Sequence, residues 1–224
     1  QALNQMLECD AEEAYDSGYI GFVLLSMGRN EIAGEQLERS LELHQHVGCV
    51  GGQAEAWGNL GNLWAARGDW VGAEAKFRSA LGLYEQIGDS KGMGGQYRSL
   101  ADVRLRQGQV EEAMAFYEMA LGQHRKADCV LGMALDNSGL AECELTAGSM
   151  ERARAKYEKA LELLEKTGHQ GHLAGMHRRL GQLYLRMGQY GEAREECEIA
   201  LRLHQRMDND KEAAVASRNL GDAC

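Results

Sequence analysis

The chain has 224 residues, with 28 Gly and no Pro, 44% hydrophobic but only 6% aromatic content, 26% charged residues and a formal net charge of -10. That composition excludes collagen-like and proline-rich chains, and its apolar content with charge of both signs argues against a wholly disordered one. The acidic balance disfavours sequence-independent nucleic-acid binding, which needs clustered Lys and Arg, and the longest apolar run, residues 19–25, falls far short of the roughly 20 residues a membrane span requires.

The chain repeats itself every 40 residues. Leu60, Leu100, Leu140, Leu180 and Leu220 hold one register, with Ile20 one period earlier. Gly28, Gly68, Gly108, Gly148 and Gly188 hold a second, Ala33, Ala73, Ala113, Ala153 and Ala193 a third, and Leu41, Leu81, Leu121, Leu161 and Leu201 a fourth. A recurring period of this length marks a repeat architecture. The predicted organisation is a single solenoid segment over residues 1–224, with repeats at approximately 14–53, 54–93, 94–133, 134–173 and 174–213 and partial repeats at 1–13 and 214–224.

In chain order, residues 2–7 fit the tail of a preceding second helix. Each full repeat then predicts two amphipathic helices. In the second repeat Trp57, Leu60, Gly61 and Trp64 fall at i, i+3, i+4 and i+7, and Ala73, Phe77, Ala80, Leu81 and Tyr84 repeat that spacing after Gly68. Gly28 and its equivalents mark the turn between the two helices, where a residue without Cβ takes the left-handed conformation freely. Asp69 and Ser149 are predicted N-terminal caps. Gly21, Gly61, Gly181 and Gly221 are read as close helix contacts, as are Ala101 and Ala141. Gly48, Gly88 and Gly168 are read as the end of the second helix, and Gly52, Gly92 and Gly132 as the loop after it. Gly92, Gly94 and Gly95 make the segment before Tyr97 the expected hinge. Residues 217–224 fit the first half of another first helix. Without a polar cap at either end, the chain reads as a segment of a longer array. The predicted fold class is all-α, a right-handed superhelical solenoid of antiparallel helix pairs.

The run Trp57, Leu60-Gly61, Trp64, Ala73, Phe77, Ala80 resembles the tetratricopeptide repeat signature. His177, Leu180-Gly181, Tyr184, Ala193 and Ala200 repeat it, with Cys197 replacing the aromatic. The period is longer than the 34 residues of that family, and its closing Pro is replaced by Gln45, Glu85, Arg125, Glu165 and Gln205, all helix-tolerant. The second helix is therefore expected to run past that point. Extended repeats of this kind are similar to those of the LGN/Pins adaptors and rapsyn, an impression strengthened by Asn59-Leu60-Gly61-Asn62 and Asn219-Leu220-Gly221-Asp222. They are also similar to sensor arrays on bacterial signalling ATPases.

The resemblance implies that the first helix of each repeat lines a ligand groove. The register two after the Leu gives Phe22, Asn62, Asp102, Glu142, Gln182 and Asp222. Neighbouring registers add Tyr19, Asn59, Arg179 and Asn219, then Arg98, Arg178 and Arg218, then Arg106 and Arg186. Two readings stand. Arg98 with Asp102 and Arg218 with Asp222 are i, i+4 pairs on solvated faces, contributing about 0.2–0.5 kcal/mol each. Alternatively, Asn and Gln grip a peptide backbone while Arg grips carboxylates bidentately, so that an acidic partner segment lies along the face.

The expected function is a non-catalytic adaptor that binds a partner's peptide through those residues. The alternatives are a structural subunit that self-associates end to end or packs in a large, cytoskeletal or ciliary, assembly, and a sensory array in a multidomain regulator. No nucleotide-binding, hydrolase or metalloprotease motif is found. Six Cys at 9, 49, 129, 143, 197 and 224, without a CxxC pair, suggest a reducing, cytoplasmic setting with no metal or cofactor. Cys9, Cys49 and Cys129 share a loop register with Asp89, His169 and Asn209. His44, His124 and His204 recur at the ends of second helices, where a partly protonated imidazole suits the helix dipole.

Overall fold

The computed structural model describes residues 2–207 and 209–222, and the side chains within them except those of residues 2–8, 210, 211 and 222. Among these, eleven helices and no strand are found: α1 (Ala2–Ser26), α2 (Asn30–His46), α3 (Val50–Ala66), α4 (Trp70–Ile87), α5 (Ser90–Arg106), α6 (Val110–Lys126), α7 (Val130–Thr146), α8 (Met150–Glu165), α9 (Gln170–Arg186), α10 (Tyr190–Arg206) and α11 (Asp210–Asp222). They fall into two compact units, Gln1–Gln109 and Val110–Cys224. In the first, α2 folds back on α1 and α4 on α3, with α2 against α3 and α4 against α5. In the second, α7 pairs with α8 and α9 with α10, while α6 packs on α7 and α11 on α10.

Glycine punctuates the turn from first to second helix in every full repeat, as the sequence predicts. Gly28, Gly68, Gly108, Gly148 and Gly188 all have positive φ, between 74° and 81°. In each the next residue's N–H bonds five residues back, as Asp69 N–H to the Trp64 carbonyl at 3.0 Å, so two carbonyls of the ending helix are satisfied. Gly48 and Gly88 end second helices the same way and Asp128 takes that place at φ 49°, while Gly168 shares the positive φ but is followed by a His169 N–H that donates to Thr167 Oγ1 at 3.4 Å. With no Pro to stop them, the second helices run on through Gln45, Glu85, Arg125, Glu165 and Gln205. Asp69 caps α4 through Gly72 N–H at 2.8 Å, and Asp89 caps α5 through Gly92 N–H at 3.0 Å.

The core follows the repeat registers. Ala33, Ala73, Ala113, Ala153 and Ala193 are fully buried, as are Leu100, Leu140 and Leu180 to within 2%. Gly21, Gly61 and Gly181 are close contacts: a Cβ would stand 2.7 Å from Leu37, 2.5 Å from Phe77 and 2.6 Å from Cys197 respectively.

Several expectations are corrected. Gly52, Gly92 and Gly132 are not loop residues; they lie inside α3, α5 and α7, each a notch in which a Cβ would overlap the ring of His44, Tyr84 or His124. Gly94 and Gly95 are likewise within α5, so the segment before Tyr97 is regular helix and no hinge. Residues 2–7 do not end a separate helix. Glu8-Cys9-Asp10 holds no Gly to take the left-handed turn, and α1 runs through it unbroken. Cys49, Cys129 and His169 occupy N-cap positions instead of a free loop, whereas Cys9 is helical. Ser149 makes no side-chain cap, and a Cβ on Gly221 meets nothing within 4 Å. Cys224 lies outside the described residues.

The histidines differ most from expectation. His44, His124 and His204 are buried beneath the following helix, 2%, 2% and 4% exposed. His124 Nδ1 sits 2.5 Å from buried Asp136 Oδ2. Burial pushes the His44 and His204 imidazoles below their ordinary pKa, outweighing the nearby carboxylates of Glu55 and Glu212 that pull the other way. Desolvation is the largest effect on both rings, and Arg178 adds to it at His204.

Candidate functional site

In α3, α5, α7 and α9 the Leu register is buried, and the position two residues after it reaches the surface or lies half-buried, whereas Ile20 of α1 is itself exposed. In the first unit a cleft of about 540 Å³ lies over α2, walled by α1 and α3. Tyr15, Asp16, Tyr19 and Phe22 contribute from α1, and Glu55 and Asn59 from α3. Ser40 and His44 form its floor: Ser40 donates to the Ala14 carbonyl at 2.7 Å, and the Tyr15 ring meets His44 edge-on with centroids 4.8 Å apart. Tyr15 Oη also lies 3.6 Å from Cys49 Sγ, and that contact raises the phenol's pKa.

Of the residues singled out from the sequence, Asn59 lines this cleft and Asn62 is exposed one turn further along α3. On α5, Arg98 is half-buried and Asp102 exposed. Arg106 is exposed, with its guanidinium carbon 5.8 Å from the Trp70 ring centroid.

In the second unit Glu142, Arg179, Gln182 and Arg186 converge with Tyr157 around a small recess of about 50 Å³. Glu142 Oε1 is the hub: the Tyr157 hydroxyl donates to it at 2.6 Å, and the Arg179 guanidinium donates to the same oxygen. The Tyr157 hydroxyl is buried, and desolvation followed by its bond to the carboxylate drives its pKa well above the usual phenol range. Arg178 turns the other way, its Nε 3.6 Å from Glu212 Oε2 on α11. Arg218 is exposed and Asn219 is 7% exposed, its Nδ2 without a hydrogen-bond partner. The side chain of Asp222 lies outside the described residues, so its pairing with Arg218 does too.

The arginine face therefore carries less unspent positive charge than a residue count suggests. Arg178 and Arg179 each face a carboxylate of their own unit, while Arg186 and Arg218 are solvent-exposed. In the aromatic wall of α1, Tyr19 and Phe22 stand in groove registers read from the sequence, whereas Tyr15 does not. Tyr15, Tyr19 and Phe22 recur at i, i+4 and i+7, the signature of one helix face, yet helical spacing alone does not say that this face is open.

These features define a helical-repeat scaffold whose units each present an open, side-chain-rich face. Two profiles, both described as tetratricopeptide repeat, match residues 21–86 with 178–224, and residues 96–129. The chain belongs to the tetratricopeptide repeat family. No curated protein matches it. Among solved structures, BtubC (BKLC) from P. vanneervenii is 24% identical, with 97% of this chain and 86% of that one covered, at a TM-score of 0.66. A Rap protein complexed with Competence and Sporulation Factor is 15% identical, covering 89% of this chain and 56% of the other, at a TM-score of 0.80. The STAND signal transduction ATPase with a tetratricopeptide repeat sensor from Pyrococcus horikoshii is 14% identical, covering 96% of this chain but 33% of that one, at a TM-score of 0.73. At these identities the likeness is one of fold. The chain spans about half the length of the Rap protein and a third of the ATPase. Among the described residues no helix is long and apolar enough to cross a membrane.

Proposed function

We propose that the chain is a non-catalytic scaffold that holds an acidic peptide segment of a partner protein along the outward registers of its first helices. The observation that carries this reading is the recess around Glu142, where Arg179, Gln182 and Arg186 converge. Gln182 supplies both a donor and an acceptor for a peptide group, and a guanidinium in this position exchanges its internal carboxylate for one on the ligand. Arg218 and Asn219 lie on α11, tied to α9 through the Arg178–Glu212 pair, and Asn59, Asn62, Arg98, Asp102 and Arg106 offer polar groups in the first unit.

The test is fluorescence anisotropy of a labelled Asp/Glu-rich peptide titrated with the full chain. Arg186→Gln and Arg218→Gln, both at exposed positions, are expected to weaken binding by about tenfold together, and Arg179→Gln further, as charge-assisted bonds are lost. Undiminished binding in the Arg186→Gln/Arg218→Gln/Arg179→Gln variant overturns the reading.

A second reading is the sensory array of a longer regulator. It is favoured by the ATPase from Pyrococcus horikoshii, whose sensor is a tetratricopeptide repeat and which covers 96% of this chain. The full open reading frame decides it.

A further inference from the structure

The cleft between α1 and α3 differs in chemistry from the arginine recess. Its α1 wall is aromatic and open: Tyr15 is 54% exposed, Tyr19 70% and Phe22 51%. Three large apolar side chains on successive turns of one helix face form a contiguous patch of the kind that marks an interaction surface. The charge around it has one sign. Helix α1 carries Glu8, Asp10, Glu12, Glu13 and Asp16, and α3 carries Glu55; neither helix contains a single Lys or Arg. Glu13 is paired with Arg39 at 3.1 Å and Asp10 with His46 at 3.1 Å. Asp16 and Glu55, by contrast, line the cleft, and no ion pair engages either among the described residues. Asn59 adds an amide that can hydrogen-bond a peptide group at the same wall.

From this arrangement we infer that the α1–α3 cleft is a second docking site, selective for a peptide segment that places apolar side chains against Tyr15, Tyr19 and Phe22 and a Lys or Arg against Asp16 and Glu55. The inference rests on the reading of the first-helix faces as peptide-holding surfaces, but assigns this one the opposite charge preference to the recess around Glu142. Aromatic faces attract cations as well as apolar groups, so a basic side chain gains from the rings and the carboxylates together. An acidic segment would meet uncompensated carboxylates and no cation. Specificity then comes from repulsion of the wrong ligand as much as attraction of the right one.

The experiment uses the full chain and three labelled peptides of equal length: one built of Leu and Lys, one with Glu in place of Lys, and one with Ser in place of Leu. Anisotropy is expected to show the Leu/Lys peptide binding at least about tenfold more tightly than either of the others, as apolar anchoring and charge complementarity both contribute. Tyr19→Ser and Phe22→Ser, at exposed positions that leave the circular dichroism unchanged, are each expected to weaken it about tenfold. Asp16→Asn with Glu55→Gln is expected to reduce both affinity and its salt dependence. Arg186→Gln with Arg218→Gln leaves this binding unchanged, which separates the outcome from that of the acidic-segment reading. Equal binding of the Leu/Glu or Ser/Lys peptide, or indifference to Tyr19→Ser and Phe22→Ser, overturns the inference. So does sedimentation showing concentration-dependent self-association that Tyr19→Ser abolishes, which would assign the cleft to a second copy of the chain.

Discussion

Two kinds of helical glycine coexist in this chain, and alanine substitution should move them in opposite directions. Gly82 in α4 and Gly122 in α6 sit where a Cβ would meet nothing within 4 Å. Other repeats already place Glu42, Glu162 and Arg202 at that register. Gly82→Ala and Gly122→Ala should therefore return the full helix-propensity difference, about 0.8–1.0 kcal/mol each. Gly61 is the contrast. An added Cβ would stand 2.5 Å from Phe77 Cε1 and 2.6 Å from Cδ1, against 3.4–4 Å for ordinary contact, so the ring must withdraw. The withdrawal is on the order of 1 Å, and overpacking of that kind costs about 1–3 kcal/mol. Phe77 is 2% exposed and has little space to yield. After the same propensity gain of about 1 kcal/mol, Gly61→Ala should lose up to about 2 kcal/mol. Ala141 beside Tyr157 in the second unit indicates that an alanine is admissible once the helices are spaced for it, which holds the expected loss to that range. The assay is urea unfolding followed by circular dichroism. Gly82→Ala should raise the midpoint and Gly61→Ala lower it, both at constant m-value. The loss in Gly61→Ala/Phe77→Leu should be smaller than the sum of the two single losses, because the smaller side chain vacates the contested volume. A Gly61→Ala midpoint as high as that of Gly82→Ala would refute the close-contact argument.

Other consequences concern acid, caps and one strained turn. His44 and His204 are buried with folded-state pKa values below that of the unfolded chain, so their stability contribution is complete above about pH 6.5. Below it the unfolded chain takes up protons that the folded one refuses, and each site sheds up to about 1.4 kcal/mol per pH unit until its depressed native pKa is reached. Urea midpoints between pH 8 and pH 5 measure this, and His204→Leu should flatten part of the slope. Asp69→Ala and Asp89→Ala should each cost about 1 kcal/mol through the lost cap, whereas Ser149→Ala, which removes no side-chain cap bond, should fall within about 0.5 kcal/mol of the parent in the same unfolding assay. Asp128→Gly should gain up to about 1 kcal/mol, since φ 49° is open to glycine without steric cost; an unchanged melting temperature would count against strain at that residue.

The helix pairs were legible because each depends on residues close in sequence. A Leu register, a Gly at the turn and an Ala after it specify where one helix stops and the next begins, and Gly28 through Gly188 bear this out in the sign of φ. Misreadings arise where glycine has a second use. Gly52, Gly92 and Gly132 look like loop residues beside a turn, yet their role is set by a ring arriving from the preceding helix. Nothing local distinguishes a glycine that bends the backbone from one that makes room. The histidines failed for a related reason: their position at a helix end is visible in the sequence, but the helix that buries them is not. The same logic governs the candidate sites. Outward registers follow from the period, so Glu142, Arg179, Gln182 and Arg186 could be named together in advance. Which of them spend their charge internally depends on side-chain reach across helices, as Arg178 to Glu212 and Arg179 to Glu142 show. Tyr15, Tyr19 and Phe22 present the sharpest case. In a repeat protein an aromatic triplet at helical spacing ordinarily means core, yet here all three side chains are more than half exposed, which spacing alone does not reveal. Repetition thus predicts where side chains point, while the exceptions to repetition decide what those side chains can bind.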